Sequence, residues 1–148
     1  MTTSPESPAY ATIRRGIALR EQGRAPQARA LLESLIAEVE GGNDPFLKVF
    51  LAHSLADVQD TPEDELAWDL RALAFLDELT DRQAVDRGNA GGRNALLPSL
   101  HLNLAVDYRR LGDQAAARRH FDLGQAHLGA LSGDAYGDSI RAAFAEGI

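Results

Sequence analysis

The sequence predicts an all-α chain of antiparallel helix pairs. Three observations carry that reading: cap-plus-proline helix starts recur, large apolar residues recur at helical spacing, and glycine falls where helices should end. Ser7-Pro8 supplies a capping hydroxyl and then a proline at the first helical position, where its missing N–H has no intrahelical partner to lose. Ile13, Ile17 and Leu19 follow, and Gly23 is the expected stop. A second helix should run from about Pro26 through Leu31, Leu32, Leu35, Ile36 and Val39 to Gly41-Gly42.

Asn43-Asp44-Pro45 restarts a helix that carries Phe46, Leu47, Phe50, Leu51, Leu55 and Val58. Thr61-Pro62-Glu63-Asp64 is the next start, with Asp64 in the capping-box place usually held by glutamate, and Leu66, Leu70, Leu73 and Leu76 follow. Between Thr80 and Leu97 the rhythm breaks. Asp86 to Asn94 contains three glycines, two asparagines and no large apolar residue, so about 81–97 is expected to be an exposed, mobile loop. Helical pattern resumes after Pro98, pauses at Gly112-Asp113 and continues to about Leu128. A final helix from about Asp134 would place Tyr136, Ile140 and Phe144 on one face.

Composition bounds the function. A chain of 148 residues, 45% apolar and 25% charged, can bury a core without disulfides, and it has no cysteine for a thiol nucleophile or a thiolate metal site. The net charge of −7 argues against nucleic acid, whose phosphates need a concentrated basic surface. Acids concentrate between Asp57 and Asp81, where nine carboxylates face Arg71 alone, a pattern that is usually a solvated face. The polar segment Met1–Tyr10 has no apolar leader and no run approaches a membrane span, so a cytoplasmic location and no membrane partner are expected. Of 15 basic residues only Lys48 is lysine, and this Ala/Arg-rich usage points to a GC-rich bacterial genome.

An internal repeat decides the architecture. Gly16, Leu19, Gly23, Ala28 and Leu32 recur as Ala105, Tyr108, Gly112, Ala117 and Phe121, every pair 89 residues apart, with Arg20/Arg109 and Arg29/Arg118 as identities in the same register. Small residues at the first and fourth of these positions let two helices approach closely, and the glycine permits a left-handed turn between them. A middle copy fits when Leu55-Ala56 is matched to Leu104-Ala105, with one deletion before Ala67.

The pattern resembles that of the tetratricopeptide repeat family. The third copy matches it best, reading His101-x-x-Leu104-Ala105-x-x-Tyr108 and Ala117-x-x-x-Phe121. His101 replaces the usual aromatic, Gly124 an alanine, and Gly129 the frequent closing proline. The resemblance implies a right-handed superhelical stack of about three antiparallel helix pairs in a single domain. Repeat 1 would span about 8–41, repeat 2 about 44–80 and repeat 3 about 98–131, with a capping helix at about 134–147 over the last apolar end.

It also implies a concave groove lined by the first helix of each pair. That places Tyr10, Ile13, Arg14 and Ile17 on the groove side of copy one, Phe50, His53, Ser54 and Asp57 in copy two, and Leu102, Asn103, Val106 and Arg110 in copy three. Leu102-Asn103-Leu104-Ala105 is similar to kinesin-light-chain-like repeats, whose groove asparagines can hydrogen-bond the backbone of an extended peptide. The alternative for Asn103 is a bond to a neighbouring helix. Arg14 and Arg110 could meet ligand carboxylates, although exposed helical arginines more often serve solubility. A chaperone-tail clamp is disfavoured, because copies one and two lack the matching asparagine and lysine.

No phosphate-cradling loop, dinucleotide fingerprint, nucleophile elbow or H-E-x-x-H occurs, so no catalytic residue and no cofactor is expected. His120 and His127 are seven residues apart on one helix face, but no set has a known ligand spacing, so packing or surface roles are expected and no metal ligand is assigned. The leading reading is a non-catalytic adaptor that binds a protein or extended peptide. A self-associating structural protein, forming homo-oligomers, and a signal-sensing module that relays to another protein are the alternatives.

Overall fold

The computed structural model describes residues 7–148, so residues 1–6 of the polar first segment lie outside the described residues. Among the described residues the regular structure is helical, with no strand. Helix α1 spans Pro8–Glu21 and is capped by Ser7, whose hydroxyl accepts from the Tyr10 N–H. It packs on α2, Ala25–Glu33, and α3 follows at Ile36–Glu40. Helix α4, Pro45–Ala56, pairs with α5, Pro62–Leu76, their N-caps being Asp44 and Thr61. After α6, Asp81–Asp86, and a 3₁₀ turn at Gly92–Leu96, α7 (Leu97–Arg110) pairs with α8 (Gln114–Gln125). Helix α9, Ala135–Glu146, closes the chain, capped by Asp134.

The first and third pairs turn by the same device. In each, a glycine at positive φ, Gly23 (77°) or Gly112 (84°), follows the first helix. The residue after it bonds back five positions, Arg24 N–H to Leu19 O and Asp113 N–H to Tyr108 O, both at 2.9 Å. That is the left-handed cap that satisfies the last helix carbonyls. The small residue of the repeat also works as expected: a Cβ on Gly16 would stand 2.7 Å from Leu32 Cδ2, so glycine sets how near α1 and α2 can come. The middle pair differs. Helix α4 ends at Ala56, whereas α7 continues past Ala105 for more than a turn, and the Gln59 side chain caps the Leu55 carbonyl where the others use glycine. The two helices are therefore out of step in the Leu55-Ala56 register, which is why the middle copy is degenerate.

The pairs stack through three apolar clusters. Ile13, Leu32, Leu51 and Leu55 fill the first, between α1, α2 and α4. Ala72, Leu76 and Leu100 centre the second, and half-buried Trp68 touches both. Ala105, Phe121 and Phe144 form the third beneath α9, with Ile140 packed alongside. The expected face of α9 is thus partly realised: Phe144 is buried and Ile140 half-buried, but Tyr136 is exposed.

Three sequence expectations are corrected. Residues 81–97 are largely exposed but are not an irregular loop. Thr80 and Gln83 form a reciprocal capping box that starts α6, Asp81 accepts the Arg93 N–H, and Arg93 donates to the Leu76 carbonyl. Ala84 and Ala95 are buried there. The expected second helix is broken at Ser34-Leu35, where the Ser34 hydroxyl donates to Leu31 O at 2.6 Å and competes with the helix backbone. Helix α8 stops at Gln125 rather than near Leu128, which begins a 3₁₀ turn.

Candidate binding groove and the acid cluster beneath it

Helices α1, α4 and α7, the first members of the three pairs, line an open hollow of about 310 Å³. Ile17 and Arg20 come from α1, and Phe46, Val49, Phe50, His53 and Ser54 from α4, with Asp57 at its C-cap. Ser99 and Leu100 of α7, Leu96 before it, Asn89 and Tyr136 complete the wall. Tyr10, Phe46 and Phe50 form an aromatic cluster at one end, with Tyr10 and Phe50 centroids 5.2 Å apart. Arg87 lies over the Phe46 ring at 5.1 Å and pairs with Asp44. The wall is apolar with a few convergent polar groups, the usual make-up of a binding cleft.

The structure brings Ile17, Phe50, His53, Ser54 and Asp57 together around the hollow, with Tyr10 beside them. Ile13 is fully buried in the first cluster and supports the wall from behind. Arg14 lies on the exposed side of α1, and Val106 is half-buried on α7. Asn103 faces a neighbouring helix: its Nδ2 donates to His53 Nδ1 at 3.3 Å. Arg110 donates to Glu65 Oε2 at 2.9 Å. Neither lines the hollow. Phe46, Arg20, Leu100 and Tyr136 do, and sequence reasoning did not place them in the groove.

Below this wall, α5 and α7 meet across a cluster of acids. One oxygen each of Glu65, Asp69 and Asp107 lies within 4.8 Å of the others. Asp69 and Asp107 are both 0% exposed, and no donor in hydrogen-bond geometry reaches any of their four carboxylate oxygens. His53 Nδ1 is 3.9 Å from Asp69, too far to bond, and already accepts from Asn103. Burial pushes Asp69 up to about 7, with Asp57 and Glu65 adding to the rise and contacts to Asp107 and Asn103 opposing it. Burial also pushes Asp107 up to about 9, reinforced by Asp69 beside it. Glu65 is raised by its own burial and by Asp107, and His53 is lowered by burial and so stays neutral. A signal for these acids exists in the sequence. Asp69 shares the buried stripe of α5 with Ala72 and Leu76, and Asp107 shares that of α7 with Leu100 and Leu104.

The histidines of the third pair are packed. His101 Nδ1 and His120 Nδ1 are 3.0 Å apart, their rings stack, and Tyr108 stacks on His120. Burial lowers both, His101 to about 4, so one neutral ring donates to the other. His127 turns instead to the Leu123 carbonyl at 2.9 Å.

A family model described as tetratricopeptide repeat matches residues 9–34 and 98–123, which coincide with the α1/α2 and α7/α8 pairs and lie 89 residues apart. The chain carries tetratricopeptide repeats at these two positions. The α4/α5 pair of this repeat protein falls between the two matches, as its out-of-step helices and glycine-free turn lead one to expect. No curated protein and no solved structure matches the chain. Tetratricopeptide repeats are in general protein-interaction modules. No described helix is long and apolar enough to cross a membrane.

Proposed function

We propose that this repeat protein is a non-catalytic adaptor that holds an extended segment of a partner protein in the hollow between α1, α4 and α7. The observation that carries the proposal is the composition of that wall. Phe46, Phe50 and Tyr136 offer apolar surface for a bulky side chain over buried Leu100, and Arg20, His53 and Asp57 flank it with groups that can bond a backbone or a charged neighbour. A peptide with one large apolar residue and an adjacent carboxylate fits this chemistry, since exposed Arg20 supplies the cation.

Selection of a random-peptide display library against the purified chain tests the proposal. Enriched peptides should share an aromatic or aliphatic anchor, and Phe50→Ala should weaken their binding by about tenfold or more. Leu123→Ala, on the exposed side of α8, should leave it unchanged. Failure of every library to enrich, or equal loss in both variants, would remove the groove reading.

A further inference from the structure

We propose that Glu65, Asp69 and Asp107 form a binding site for a hard divalent cation that ties α5 to α7, the junction of the second and third helix pairs. Glu65 and Asp69 stand at i and i+4 on one face of α5, and Asp107 reaches them from α7. Their nearest oxygens lie within 4.8 Å of one another. For metal–oxygen bonds of about 2.1–2.4 Å, opposed ligand oxygens are roughly 4.2–4.8 Å apart, so small side-chain adjustments close this set around an ion.

Proximity of acids alone would not be enough. The second observation is that Asp69 and Asp107 are fully buried, point into the cluster, and have no hydrogen-bond donor on any carboxylate oxygen. Buried carboxylates are ordinarily paired, hydrogen-bonded or bound to a metal. The neighbouring side chains do not supply the missing partner: Asn103 comes near Asp69, but its amide nitrogen bonds His53. Arg110 bonds Glu65 from the exposed side and offsets one of the three charges. His53 lies near, but its Nδ1 is engaged by Asn103. Without an ion these acids hold protons; once those are released two negative charges face one another, which a divalent cation matches.

Oxygen ligands with no thiolate favour Mn²⁺, Mg²⁺ or Ca²⁺ over softer ions. An entry path exists on the Glu65–Arg110 side, where the Glu65 side chain is 20% exposed and that of Arg110 53%. A bound ion would fix the register of α7 on α5 and, through Asn103 and His53, the floor of the groove.

The test uses the full chain, stripped with a chelator and titrated with MnCl₂. Free Mn²⁺ is followed by its electron paramagnetic resonance signal, and thermal unfolding by circular dichroism. Saturable uptake of a single equivalent should accompany a rise in Tm of about 5 °C or more. Asp107→Asn and the rim variant Glu65→Gln, which spares the buried core, should lose both effects. Glu63→Gln, on the exposed first turn of α5, should keep both and so separates this site from the diffuse acidic surface. The proposal is overturned if Mn²⁺, Mg²⁺ and Ca²⁺ all leave Tm unchanged, or if Asp107→Asn and Glu65→Gln bind Mn²⁺ like the wild type. In either case the acids hold one another by shared protons.

Discussion

Replacing Asp107 by asparagine should make the cation-free protein more stable at alkaline pH, contrary to the usual expectation for a fully buried residue. Asp107 is pushed from an ordinary 3.8 to about 9, because burial and Asp69 disfavour its charge. The folded state therefore binds more protons than the unfolded chain between these values, and stability falls as pH rises through that window. At about pH 8 the gap is about four units at about 1.4 kcal/mol each, a ceiling of about 6 kcal/mol. The realised gain is smaller, because Asp69 shares the same titration and a polar amide must still be buried. A gain of about 2–3 kcal/mol is expected, or about 5–10 °C in Tm for a chain of this size. At about pH 4.5 it should shrink to about 1 kcal/mol or less, because that pH lies only slightly above the ordinary 3.8 at which Asp107 titrates in the unfolded chain. Urea and thermal denaturation in chelator across this range measure the difference. A variant less stable than wild type at about pH 8, or a gain independent of pH, would refute the burial-and-repulsion reasoning.

Three further outcomes are expected. His101 and His120 are lowered by burial, so the unfolded chain takes up protons first on acidification. For His101 this stabilisation is complete above about pH 6.5 and is lost towards about pH 4, and His120 acts in the same direction. His101→Phe should flatten this part of the acid limb, which denaturation midpoints across the range would show. Gly91→Ala should destabilise by about 2 kcal/mol or more, because its Cβ would stand 2.0 Å from the Ala130 carbonyl oxygen and must push the two segments apart. Hydrogen exchange should then rise at 88–92 and 128–130. Leu32→Ala, at a site with 0% exposure, should cost about 2–5 kcal/mol by urea denaturation.

The all-helical class and the stack were legible because caps, prolines and turn glycines are local signals, and α1/α2 and α7/α8 repeat them in register. Both helices of the middle pair were legible from their caps, but its repeat register was not, since its turn uses Gln59 and lacks the glycine that marks the others. The 81–97 segment was misread because its glycines outweighed Thr80 and Gln83, a capping box visible as T-x-x-Q. In the groove, Ile17, Phe50, His53, Ser54 and Asp57 were legible by family position. Phe46 and Tyr136 were not, because they reach the hollow from a helix start and a distant last helix. The acid cluster needed tertiary structure, as Asp107 meets Glu65 and Asp69 only once α7 packs on α5. Asn103 and Arg110 were chosen for peptide contact, and the structure joins them to His53 and Glu65 instead.

The most direct test of the adaptor reading is nuclear magnetic resonance mapping of a library-selected peptide on the isotopically labelled chain. Perturbed amides should concentrate at Ile17, Arg20, Phe50, His53 and Leu100, and Phe50→Ala should abolish them at the same peptide concentration. Perturbations concentrated on the exposed face of α8, around Arg118 and Leu123, and unaffected by Phe50→Ala, would place the interaction outside the groove and contradict the proposal.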